Sequence, residues 1–118
     1  MAALRHVLYL PRSIEMQITP GCDEKRISPG RRGEFSIAVL GSNDLDVREV
    51  QTDSLRFHGA TAVRTETSDI NGDGKLDILI FFDQANVRLN PQTRTARLTG
   101  WLKNSQAFIG EDRIDVAY

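Results

Sequence analysis

The chain has 118 residues, 40% hydrophobic and 26% charged, with 15 Lys and Arg against 16 Asp and Glu for a formal net charge of −1. That length suits one ordinary domain, and the composition argues against a disordered tail or a membrane-embedded chain. Near-neutral charge leaves any attraction to nucleic acid or a membrane surface to local patches, and the single cysteine, Cys22, excludes an intrachain disulfide. The first ten residues carry Leu4, Val7, Leu8 and Leu10, but Arg5 and His6 interrupt them. This is a weak helical stripe, without the uninterrupted apolar core and small-residue cleavage site of a signal peptide, and far short of a membrane span. We read residues 1–13 as an N-terminal extension and 14–118 as the domain.

Beyond it the periodicity is that of strands. Ile14, Met16 and Ile18 alternate with polar neighbours until Pro20-Gly21, as in one half-buried strand. Residues 22–33 (CDEKRISPGRRG) read as a long surface loop. A second strand spans 35–40 and stops at Gly41-Ser42-Asn43-Asp44. Shorter runs lie at 47–50, 54–57 and 62–67, with His58-Gly59 as a turn. Residues 76–82 (LDILIFF) are apolar on both alternating faces after Asp77, which predicts a central strand covered on both sides. Runs at 94–102 and 113–117 complete the set. The spacing predicts an all-β, single-domain β-sandwich-like fold of about seven or eight short antiparallel strands.

The chemistry is concentrated in Asp69-Ile70-Asn71-Gly72-Asp73-Gly74-Lys75-Leu76-Asp77. Oxygen-bearing side chains stand at alternating positions, Asp69, Asn71 and Asp73, followed by a glycine where the backbone must turn sharply. Calcium takes about 6–8 oxygen ligands, and a curled loop can aim side chains two residues apart at one point. The Lys75 carbonyl is the expected main-chain ligand, and Asp77 the expected direct or water-mediated one. The twelfth loop position, a bidentate Glu in helix–loop–helix sites, is Ile80, so another group must complete the shell. Glu66, Asp83, Asp44 and Asp46 are the candidates. The competing explanation is a plain hairpin turn, since Asn-Gly and Asp-Gly form turns without any metal. Three carboxylates gathered within about 5 Å would repel by about 3 kcal/mol per pair at an effective dielectric near 20, a cost that a turn built only for geometry has no reason to carry.

In order along the chain, Thr19-Pro20-Gly21, Ile27-Ser28-Pro29, Ile37-Ala38-Val39-Leu40-Gly41, Leu45-Asp46-Val47, Ser54-Leu55-Arg56-Phe57, the Asp69 loop, Leu98-Thr99-Gly100 and Gly110-Glu111-Asp112-Arg113-Ile114 resemble a calcium-loop-bearing accessory module of secreted bacterial proteins. The resemblance covers roughly residues 14–116. It departs at Pro91-Gln92-Thr93, where relatives carry a Gly-Asp pair, and at Ser68, where they carry Glu. It implies a β-sandwich-like, non-catalytic domain with a bound Ca2+ and an extracellular setting.

Other surfaces offer rival functions. Strand alternation places Trp101 on the polar face with Thr95, Arg97 and Thr99, where it could stack on a carbohydrate or anchor a protein partner. The plainer expectation is a Trp101 packed under the N-terminal segment. Lys25, Arg26, Arg31 and Arg32 cluster in one loop without interleaved aromatics, a poor match to a nucleic-acid surface and a good one to a solvated loop. His6 and His58 lie in separate segments, and no nucleophile elbow, phosphate loop or zinc spacing accompanies them, so no enzyme is expected.

Overall fold

The computed structural model describes residues 11–22 and 24–117. The apolar stripe read over residues 1–10, with His6, lies outside them. Eleven strands form among the described residues: β1 (Arg12–Ile14), β2 (Met16–Ile18), β3 (Arg26–Ile27), β4 (Glu34–Val39), β5 (Arg56–Phe57), β6 (Ala60–Thr61), β7 (Arg64–Ser68), β8 (Asp77–Asp83), β9 (Thr95–Trp101), β10 (Ala107–Arg113) and β11 (Asp115–Val116). One sheet has the order β1-β10-β9-β5-β6 and the other β2-β4-β8-β7, with a small β11-β3 pair beside them. The fold is all-β and sandwich-like. Most pairings are antiparallel, but β1 with β10 and β11 with β3 are parallel.

The chain changes sheets twice through very short links. The expected single strand over Ile14, Met16 and Ile18 is broken at Glu15, with β1 in the first sheet and β2 in the second. The Leu40 N–H donates to the Glu15 carbonyl at 3.0 Å and holds the corner. A second switch, at Ala62-Val63, separates β6 from β7.

The inner faces supply one core. Phe35 and Phe82 come from one sheet and Phe57 from the other, with ring centroids 5.6–5.8 Å apart, within the range of favourable aromatic packing. Ile37, Val39, Ile78 and Ile80 face Ala96, Leu98 and Phe108 in the same cluster. Gly100, opposite Phe108 in register, is small because the Phe108 ring lies across it: a β-carbon there would sit 2.6 Å from that ring.

Four expectations are corrected. Residues 47–50 are not a strand: Val47–Glu49 is a 3-10 helix, started by the Asp46 carboxylate accepting the Arg48 N–H. Three-residue spacing puts Val47 and Val50 on the same side of such a turn, and both are buried. The strand β8 is central in its sheet but covered on one face only, since Leu79 and Phe81 stay half-exposed on the other. The stretch 22–33 is not wholly surface, because Ile27 is fully buried in β3. The expected 113–117 run holds the short β11 but is not the main closing strand, which is β10 ahead of it; the glycine at 110 receives Met16 and so breaks the apolar alternation of β10.

His58-Gly59 is a hairpin turn, with Phe57 paired to Ala60 and φ of 47° and 90° at its two residues, the positive values that a type I′ turn requires. The imidazole Nε2 accepts the Arg97 N–H at 3.0 Å and so continues the β5–β9 ladder with a side chain. Burial, and next the Arg97 charge, hold the His58 pKa below its ordinary 6.5. The unfolded chain therefore protonates this residue first. Its contribution to stability is complete above pH 6.5 and declines as the pH falls below that value toward the folded pKa. Melting temperature followed from pH about 8 to about 5 should hold level and then drop. In His58→Asn, whose side chain tolerates the left-handed turn, the drop that begins near pH 6.5 should be smaller.

Candidate metal centre

The loop joins β7 to β8 through residues 69–76, eight in all. Two residues suffice to close an antiparallel hairpin, so turn geometry alone does not require this length. Its conformation is organised by Asp69. One carboxylate oxygen accepts the N–H groups of Gly72 (2.9 Å) and Asp73 (3.2 Å), and the other accepts that of Gly74 (2.8 Å). The Asp73 carboxylate accepts the Lys75 N–H at 2.9 Å, and the Asn71 side-chain oxygen faces the Asp73 N–H at 3.4 Å. Gly72 and Gly74 have φ of 73° and 86°, which lets the backbone curl so tightly that successive amides point at one carboxylate.

Asp77 stands apart from the other four sequence-derived site residues. Among the described residues it is the one buried charged side chain, with no exposed surface. One oxygen accepts the Gly41 N–H and the other the Ile70 N–H, both at 2.8 Å. By alternation Asp77 belongs to the outer face of β8, and the backbone of two loops closes over it. A β-carbon on Gly41 would lie 2.0 Å from the Leu76 carbonyl oxygen, so only glycine permits this approach. The carboxylate is thus a clamp between the β4 exit and the start of the calcium-type loop.

The residues weighed as completing ligands are scattered. Asp83 is at the opposite end of β8, six residues or about 20 Å away along the strand, where its carboxylate accepts the Ala85 N–H. Glu66 is exposed on β7. Asp46 is bound to Arg48 at 2.8 Å, and that hydrogen bond is the first cause of its lowered pKa. Ser42, Leu45, Asp46 and Arg48 do share a cleft of about 330 Å³ with Gly74, Lys75 and Leu76. Among the described residues, no three His, Cys, Asp or Glu side chains converge as a preformed metal site would. Asp69, Asp73 and Asp77 are thus not gathered into one three-carboxylate cluster in this arrangement.

The donor set nevertheless has the chemistry of a hard cation site. Asp69, Asn71, Asp73 and the Lys75 carbonyl offer only oxygen. A carboxylate has about four lone-pair positions; Asp73 spends one on an amide and Asp69 three. Neither forms an ion pair among the described residues, which leaves two negative charges on an exposed loop without a cation.

The rival surfaces are also placed. Trp101 is 46% exposed on the outer face of β9, beside exposed Thr99 and Arg97. The N-terminal segment expected to cover it lies outside the described residues. In the basic loop, Lys25 pairs with Asp112 at 2.9 Å and donates to the Ile18 carbonyl, while Arg26 faces Glu24 at 3.7 Å. Arg31 and Arg32 are exposed, and neither has an ion-pair partner among the described residues. Cys22 is an exposed free thiol. Among the described residues no helix is long and apolar enough to cross a membrane.

A scan against protein-family models finds no match, and neither the curated proteins nor the solved structures yield one.

The two aspartates at the ends of the loop do different work, and substitution separates them. Asp77→Ala leaves two covered N–H groups without acceptors and should cost about 3 kcal/mol in denaturant unfolding. Asp69→Ala, at an exposed site resembling a lost helix cap, should cost about 1 kcal/mol. Equal losses would contradict the clamp.

Proposed function

We propose that this domain is a non-catalytic accessory module that binds one calcium ion in the loop headed by Asp69, with Asp69, Asn71, Asp73 and the Lys75 carbonyl as donors. One observation carries the proposal: oxygen side chains at alternating positions lie on a backbone curled by two left-handed glycines, and among the described residues their carboxylates have no cationic partner. The resemblance to calcium-loop modules supports the same choice. Asp77 is assigned to holding the loop rather than to the ion. Magnesium suits the loop less well, because it keeps its waters and favours few protein ligands.

Bound calcium supplies a positive charge that neutralises the loop carboxylates. The chain's own residues do the rest. Asp69 orders the three amides of the curl, Asp73 and Asn71 present oxygens outward, and the Asp77 clamp transmits the ordered loop to β8 and Gly41. An ion bound only by the folded state stabilises it by RT ln(1 + [L]/Kd). At millimolar calcium and an extracellular-type Kd of about 0.1 mM, this comes to about 1.4 kcal/mol, or a melting shift of roughly 5 °C.

Thermal unfolding of metal-stripped protein, with and without calcium and with magnesium as control, measures it. Asp73→Ala removes a single amide acceptor and should melt near the parent without metal while losing the calcium shift. An equal calcium response in parent and variant would remove the ion from this loop.

A second function rests on the outer face of the five-stranded sheet, where Trp101, Thr99 and Arg97 share one side of β9 and Arg56 lies across from Thr99. An exposed indole beside hydroxyl and guanidinium donors suits a carbohydrate or protein contact. Trp101 emission should be red-shifted and readily quenched by iodide in the folded protein; a blue, protected emission would rule this surface out.

A further inference from the structure

We infer that β7 is a dimerisation edge that pairs antiparallel with the β7 of a second copy, about a two-fold axis at Thr65. The inference is independent of calcium binding.

Every open sheet has two edges, and each leaves alternate N–H and C=O groups without strand partners. Here three of the four edges are minimal: β1 and β2 have three residues each and β6 has two. The strand β7 has five and pairs with β8 alone. Four of its residues are exposed and Thr65 is half-buried. It contains neither proline nor lysine, two of the residues that protect exposed edges.

Its side chains specify a partner. Arg64 and Glu66 share the outer face of the sheet, two residues apart. Arg64 reaches across β8 in the single copy: its guanidinium pairs with Glu34 of β4 at 2.6 Å and lies 4.0 Å from the Phe81 ring centroid, so docking requires it to swing from Glu34 toward the free edge. Glu66 has no ion-pair partner among the described residues. A second β7 that extends the sheet with its buried face on the same side must pair residues whose numbers add to an even sum. Centred on Thr65, Arg64 faces the Glu66 of the other copy, and this occurs twice by symmetry. Centred on Glu66, two carboxylates meet; centred on Arg64, two guanidinium groups meet. Opposite charges across a strand pair stabilise and like charges oppose pairing, so the sequence Arg-Thr-Glu selects one register. The result joins two four-stranded sheets into one of eight, with an isologous interface.

A contact of one short strand from each copy is at the small end of interface sizes, so the dimer should be weak and concentration-dependent. In sedimentation equilibrium, the mass should rise from 13.2 kDa toward twice that value between about 10 μM and about 1 mM. Arg64→Glu and Glu66→Arg should each weaken self-association at least tenfold. An equimolar mixture of the two should associate again, because each then meets its complement. Thr65→Cys, made with Cys22→Ser, gives an independent reading that does not disturb the Arg64 contacts. Under diamide it should form a disulfide-linked dimer, and Thr67→Cys in the same background should not. A parent that stays monomeric across this range would overturn the inference. So would single variants that associate as well as the parent, or cross-linking through residue 67 in place of 65.

Discussion

A carboxylate with no access to water stands at the start of β8, and the loop end of the molecule depends on it. Asp77 accepts one amide from Gly41 and one from Ile70, joining the turn after β4 to the loop after β7. Both N–H groups lie where another acceptor would have to be supplied by the protein, so the bond pattern is costly to break. Close approach of Gly41 to the Leu76 carbonyl follows from the same clamp. Loop and sandwich are thereby one unit, and order in the loop is felt by the central strand.

The sandwich has a different character at its two ends. Near Asp83, the core is aromatic, with Phe35, Phe57 and Phe82 meeting across the two sheets. Near Asp77, smaller side chains from the long β4–β5 connection, Leu45, Val47 and Val50, fill the gap beneath the loop. Rigid packing at one end and backbone hydrogen bonds at the other place the flexible chemistry, oxygen donors on a curled loop, on a fixed base.

The loop is satisfied by its own amides, with three of them directed at Asp69. The proposed calcium ion would share these carboxylates with the amides already bound to them, at a loop that lacks a converged triad of carboxylates but offers an all-oxygen donor set. Under that proposal, weak affinity and a stabilising effect would follow from a donor set that must gather as it binds.

Much of this was legible in the chain. Apolar runs located β4 and β8 and period-two alternation located β9, because at least one face of each must meet the core and a polar residue on that face would be costly. The alternating Asp69, Asn71 and Asp73, with glycines at 72 and 74, marked the loop, since side-chain oxygen and left-handed backbone are local properties. His58-Gly59 marked a turn for the same reason. What depended on distant contacts was hidden. Glu15 breaks a strand only because two sheets compete for its neighbours, and Gly110 looks like a strand breaker until Met16 fills its place. Asp77 reads as a ligand by spacing, yet the amides of Gly41, 36 residues away, and Ile70 claim its oxygens. Local pattern determined the elements and the loop's chemistry. Which face is covered, which edge stays open and which aspartate remains free were decided by the tertiary structure, because burial and hydrogen-bond competition are properties of segments brought together from far apart in the chain.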